Sequence, residues 1–226
     1  MTEPLLEPTR DTVRASLADV VRNRVVPVVV TDDPARAHDL GAALVAGGLP
    51  VAEVTLRNPF ALDVLTALAA RGDLLVGAGT VTTPEQVDRV HDAGAQFVVS
   101  PGLSVAVVGR CRARGLPVVP GVVTASELMG ALALGLGTVK FFPAEASGGP
   151  ATVAALGAAF GQVRFVPTGG ISPERAPAYL DLPQVAAVGG SWMVAPDLLA
   201  AGAWDEVVRR CADAVTRLGP AGSGPG

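Results

Sequence analysis

Residues 138–170 read TVKFFPAEASGGPATVAALGAAFGQVRFVPTGG. The stretch opens on a short β-prone run, TVKFFP (138–143). It passes through a segment rich in Ala and Leu and closes on a second run, RFVPTG (164–169). Short apolar runs alternating with helical segments indicate βαβ units and a parallel sheet. Outward from this unit the rhythm continues through VVPVVV (25–30), VAEVTL (51–56), LLVGAG (74–79), FVVS (97–100), PVVPG (117–121) and VAAVGG (185–190). Helical stretches such as PARAHDLGAALVAG and TASELMGALALG lie between them. A helix around 10–22 is expected before the first strand, and AWDEVVRRCADAVTRLG closes the fold. The near-continuous apolar character of the runs suits strands buried on both faces. Eight such units predict an α/β protein, a single-domain (β/α)8 barrel over 10–218 with an extra N-terminal helix. An open doubly wound sheet is the alternative. Against it, no G-x-G-x-x-G opens a helix after the first strand. Residues 1–9 are expected to be flexible. The tail GPAGSGPG (219–226) has nothing to bury and is expected to be disordered.

Composition narrows the function. Half of the 226 residues are hydrophobic and 17% are charged, so a large core is available. The net charge is −4 and no basic cluster is present, which leaves no electrostatic footprint for nucleic acid or an anionic membrane. No run approaches the ~20 apolar residues of a spanning helix, and the start MTEPLLEPTR has no apolar signal core. A cytoplasmic protein is expected. Cys111 and Cys211 sit in helical patterns without metal or redox spacing and read as free thiols. His38 and His91 stand alone, so no metal site is expected.

The first run also carries the chain's single lysine, Lys140; its other sixteen basic residues are arginines. A compositional bias toward arginine explains the missing lysines but not where the last one sits. An amine can be pushed toward neutrality by burial, whereas a guanidinium stays charged. A neutral amine is a nucleophile toward ketones and aldehydes. In a barrel the active site lies at the C-terminal ends of the strands. There, Glu53, Thr55 and Arg57 fall on one face by alternation, with Val54 and Leu56 on the other. Thr80 ends the third strand and Pro101 follows the fourth. Phe142 shares a face with Lys140, and Phe141 faces away. Glu53 and Lys140 then both point inward, either as a structural ion pair or as an amine with a proton shuttle beside it. Arg57 suits a carboxylate in bidentate geometry, or is a surface arginine. Thr80 offers a hydroxyl to the same carboxylate, or is a plain loop residue.

Two glycine turns, TGGIS after the seventh strand and GGSWM after the eighth, let backbone N–H groups approach an anion. Barrels often bind phosphate at those two ends. Ser172 is read as a helix cap with Pro173 at the first helical position. Ordinary tight turns are the alternative.

The stretches EVTLR, GAGTV, SPG, SELM, KFFPAE, PTGGIS and GGSW, in this order, resemble those of bacterial 2-keto-3-deoxy-6-phosphogluconate (KDPG) and 2-keto-4-hydroxyglutarate (KHG) aldolases over roughly 10–215. The resemblance implies a Schiff-base aldolase on a barrel, assembled as a homotrimer, acting on a phosphorylated 2-keto acid without metal or organic cofactor. It implies Lys140 as the Schiff-base amine and Glu53 as general acid/base. Arg57, Thr80 and Pro101 match positions around the pyruvate end, and Phe142 an aromatic wall near the imine. Gly169, Gly170, Gly190 and Ser191 match phosphate-binding turns, with Thr168 beside them. Substrate range stays open, since related aldolases differ in C4 stereochemistry and in their need for the phosphate. Rival readings are a phosphate-handling epimerase or thiamin-phosphate synthase-like barrel, and a non-catalytic barrel that binds a phosphorylated sugar acid.

Overall fold

The computed structural model describes residues 16–219. The expectations for 1–9 and for the tail beyond Gly219 lie outside the described residues. Among the described residues nine strands alternate with helices, except that β5 runs directly into β6: β1 Val25–Val29, β2 Val51–Thr55, β3 Leu75–Gly79, β4 Phe97–Val99, β5 Val118–Val119, β6 Gly121–Val122, β7 Thr138–Phe141, β8 Arg164–Pro167 and β9 Val188–Gly190. The helices are α1 Leu17–Val21, α2 Ala37–Ala46, α3 Ala61–Ala69, α4 Pro84–Asp92, α5 Val105–Arg114, α6 Ala125–Ala133, α7 Gly149–Ala159, α8 Ala176–Leu180, α9 Pro196–Ala201 and α10 Trp204–Leu218.

Two differences from what the sequence predicts have local causes. The run at 117–121 is two strands, because Pro120 has no N–H to carry the ladder through. Its carbonyl still accepts from Lys140 N at 2.9 Å. The first helix opens at Leu17, and the part of it expected before Ser16 lies outside the described residues. Ser16 caps α1 with extended backbone angles and a reciprocal capping box with Asp19. Ser172 does not cap a helix that starts at Pro173. Its hydroxyl donates to Glu174 at 2.7 Å, residues 173–175 form a turn, and α8 begins at Ala176.

Every recorded strand pairing is parallel. One sheet runs β5-β4-β3-β2-β1-β9 and a second β6-β7-β8. The first strand lies between the second and the last, without the reversal of order that marks a doubly wound sheet. Parallel bridges Phe165–Val185 and Thr168–Gly189 connect β8 to the β9 segment. The fold is therefore α/β, built on a curled parallel array.

Alternation divides the apolar residues into two cores. The larger lies between strands and helices and contains Val54, Phe141, Phe165 and the buried faces of α2, α3 and α5. The smaller lies inside the array: Val26, Val51, Phe97, Val99, Val119, Val166 and Ala187, with Val20 of α1 against them. Helix starts are set by polar caps. Thr83 with Gln86 and Thr124 with Glu127 form capping boxes for α4 and α6, each cap worth about 1 kcal/mol.

Candidate active site

The inner core ends upward in two charged side chains. Lys140 in β7 is 4% exposed and Glu53 in β2 is 3% exposed. They reach toward each other from different strands, and Lys140 Nζ donates to Glu53 Oε1 at 3.1 Å. A small cavity below them is lined by Val20, Val26, Phe97, Val119 and Val166, with Thr168 at its edge. Charges in such apolar surroundings are costly unless paired, and these two satisfy each other. Phe142 follows on the same side, its ring centroid 5.1 Å from Nζ. A cation held there, ammonium or iminium, faces the negative side of the ring.

Two glycines make room for this pair. A Cβ at Gly79 would lie 2.2 Å from Glu53 Oε1, and one at Gly77 would lie 2.3 Å from the Phe97 ring. Neither glycine is among the residues expected at the site from sequence. Their signal is glycine at alternate positions of a strand, where a neighbouring group approaches closely.

The other expected residues fall around this centre unevenly. Thr80, directly after β3, holds a left-handed φ of 61°. For a β-branched residue this is an outlier costing on the order of 1–3 kcal/mol. Pro101 is half-buried beside β6, where a Cβ at Gly121 would meet its carbonyl oxygen at 2.1 Å. Arg57 departs from the alternation read for it. β2 ends at Thr55, whose hydroxyl bonds Val29 O, and Arg57 N folds back onto Thr55 O at 2.8 Å. Arg57 is exposed and lines a separate surface hollow with Asn58, Gln86 and Arg89. Among the described residues it makes no ion pair or side-chain hydrogen bond.

The two glycine turns meet through the Thr168–Gly189 bridge. Thr168 is buried, and a Cβ at Gly189 would come within 2.3 Å of its hydroxyl. Gly169 and Gly170 have φ of 106° and 77°, conformations that glycine alone adopts freely. Gly190 is buried under the Trp192 ring and Ser191 is exposed. Among the described residues nothing accepts from the amides of Gly169, Gly170 or Ser191. These are unused donors on one rim, which suits an anion better than a plain turn requires. The TGGIS turn presents them without a helix N-terminus, since α8 starts later, whereas Ser191 stands at the N-cap of a single 3-10 turn, Trp192–Val194.

Cys111 and Cys211 are buried free thiols. Burial pushes them up to about 11 and about 12 respectively. Among the described residues no group of three His, Cys, Asp or Glu side chains is placed to hold a metal ion, and no helix is long and apolar enough to cross a membrane.

The family model for KDPG and KHG aldolase matches residues 18–210. The KHG/KDPG aldolase of Escherichia coli (strain K12) is 46% identical over 84% of this chain and 90% of its own length. The 2-dehydro-3-deoxy-phosphogluconate aldolase of Pseudoalteromonas atlantica is 45% identical, over 84% of this chain and 89% of its own. Among solved structures, the KDPG aldolase of Legionella pneumophila was captured at low pH with pyruvate as a covalent carbinolamine. It matches with a TM-score of 0.86 and 40% identity, covering 88% of this chain and 98% of that one.

Proposed function

The chain belongs to the KDPG and KHG aldolase family, and from that membership we propose that it cleaves 2-dehydro-3-deoxy-6-phosphogluconate to pyruvate and glyceraldehyde 3-phosphate through a Schiff base on Lys140. The observation that carries the reading is the chain's single lysine, buried at the end of β7 with its amine 3.1 Å from a buried carboxylate. The E. coli relative's double name favours a second substrate, 4-hydroxy-2-oxoglutarate, cleaved to pyruvate and glyoxylate. We read the two sheets as one closed (β/α)8 barrel, counting 118–122 as a single strand. The β8–β9 bridges support that closure.

In the proposed mechanism Lys140 passes its proton to Glu53 and the neutral amine adds to the C2 ketone of the substrate. Glu53 gives that proton to the departing C2 hydroxyl, and loss of water leaves an iminium, an electron sink for the next step, with Glu53 again a carboxylate. Glu53, directly or through a water, takes the proton of the C4 hydroxyl. The C3–C4 electron pair flows into the iminium and the aldehyde leaves. Glu53 returns the proton to C3 of the enamine, and hydrolysis frees pyruvate and the amine. Phe142 faces the cationic imine. Arg57, Thr80 and Pro101 are assigned to the pyruvate end. The amides of Gly169, Gly170 and Ser191, with Gly190 and Thr168 beside them, are assigned to the phosphate. Fixing both ends of the substrate aligns its middle.

A homotrimer in the cytoplasm, serving the Entner–Doudoroff pathway, is the accompanying proposal. Exposed Phe60, Val105 and Met129 are apolar side chains available for subunit contacts. The site assignment is tested by borohydride reduction with pyruvate, read by intact mass and peptide mapping. A reduced adduct on the Lys140 peptide supports it, since the N-terminus is the only other amine in the chain. No adduct on folded protein refutes it and favours the non-catalytic binding barrel.

A further inference from the structure

The motif KFFPAE ends in Glu145, which the mechanism leaves without a task. Its backbone continues a zipper between the loop after β7 and the turn after β8. Ala144 N donates to Thr168 O at 2.8 Å and Glu145 N to Gly169 O at 3.1 Å. These bonds occupy the carbonyls of the glycine turn and leave its amides unused. The side chain is anchored twice. Oε1 accepts from the Tyr179 hydroxyl at 2.6 Å and Oε2 from Arg175 Nη1 at 2.9 Å. Its stem lies directly against the turn, because a Cβ at Gly170 would be 3.0 Å from Glu145 Cβ and Cγ. Tyr179 is fully buried in α8, so its hydroxyl is a fixed post rather than a mobile surface partner.

We propose that Glu145 is a positioning residue for the phosphate end of the substrate: it clamps the Gly169–Gly170 turn to α8 and ties that turn to the strand bearing Lys140. This rests on the reading of the glycine turns as the phosphate site. Unused amides in a glycine turn bind an anion well only if the turn is held open beforehand, because ordering it during binding subtracts from affinity. A carboxylate beside a phosphate is otherwise unfavourable, and the Arg175 guanidinium on Oε2 offsets that charge. Glutamine at 145 would keep the bond from Tyr179 and lose the ion pair. Alanine would lose both.

The experiment compares the parent with Glu145→Ala, Glu145→Gln and Tyr179→Phe on two substrates, 2-dehydro-3-deoxy-6-phosphogluconate and the same acid without phosphate. For the phosphorylated substrate, Glu145→Ala should raise KM about tenfold with kcat within about twofold, consistent with losing a charged hydrogen bond. Glu145→Gln should fall between alanine and parent. On the unphosphorylated acid all variants should stay within about twofold in kcat/KM. Borohydride trapping of pyruvate should be unchanged. Equal losses on both substrates would overturn the proposal, and so would an unchanged KM for the phosphorylated one. If the parent itself shows no preference for the phosphate, the phosphate-site reading falls and takes this inference with it, which separates the two failures. If the alanine variant does not fold, Tyr179→Phe, which removes a single oxygen, carries the same comparison.

Discussion

Gly79→Ala probes the active-site geometry with one methyl group. Gly79 ends β3 in register with Thr55, beside the Glu53 side chain, and the added Cβ would sit 2.2 Å from Oε1, 2.7 Å from Cγ and 2.9 Å from Cδ of Glu53. Ordinary contact distances require the carboxylate to retreat by about 1 Å. The obstacle is the end of a flexible side chain rather than backbone, so the fold should lose no more than about 1–3 kcal/mol. Chemistry should lose far more, because a displacement of ~1 Å at a proton-transferring group costs on the order of a hundredfold. Two readouts separate these effects. Steady-state turnover of the phosphorylated substrate should drop by about two orders of magnitude. Borohydride trapping of pyruvate on Lys140 should persist, since the amine itself is not displaced. Gly109→Ala is the control: its Cβ would meet nothing within 4 Å in α5, and it should leave turnover intact. Turnover of Gly79→Ala within about twofold of the parent would refute the reasoning. Either Glu53 would not be fixed by this wall, or it would not move the proton.

Three further outcomes follow from the structure. Lys140→Met should cost about 3–5 kcal/mol in chemical denaturation by leaving the Glu53 carboxylate buried and unpaired, whereas Lys140→Met with Glu53→Leu should recover most of it. A single-variant loss below about 1 kcal/mol would mean the pair carries no such strain. Cys111 and Cys211 should resist alkylation in the native protein at pH 8, where thiols held up to about 11 and about 12 are almost wholly protonated, and should react once the chain is unfolded in denaturant. Rapid native labelling would contradict their burial. Hydrogen bonds from Arg209 and Arg210 hold the Glu206 carboxyl down to about 2, below its ordinary 4.5. A depressed acid contributes stability that is complete above its unfolded value and is lost as pH falls through the folded one. The acid limb of unfolding should therefore flatten between those values in Glu206→Gln, and an unchanged limb would show that the pair contributes nothing.

Much of this was legible in the chain. The period of strand and helix placed eight strand-forming runs, one of which the structure divides in two, and alternation placed Glu53 and Lys140 on the inner face, because both rest on local spacing that folding preserves. What failed depended on single residues at element ends. Pro120 splits a run whose hydrophobicity is continuous, since a missing N–H has no signature in apolar patterning. Alternation broke at Arg57, where the backbone folds back on Thr55. Ser172 and Pro173 look like a helix start, but Glu174 draws the serine hydroxyl away and the chain makes a turn instead. The tasks read for Gly79 and Glu145 depend on partners 24 or more positions distant. No local pattern announces such a neighbour.

The joint between β8 and β9 differs from the other strand pairs. Two isolated bridges hold it, where β2 and β3 share a five-residue register. In the proposed barrel the ring of strands opens first where its ladder is interrupted. The glycine turns assigned to the phosphate sit at the top of this joint. A ligand that spans them acts as a clasp on the ring. Its occupancy should then be read not only in catalysis but in slower amide exchange at Phe165 and Ala186, whose N–H groups donate across the joint to Gln184 and Phe165.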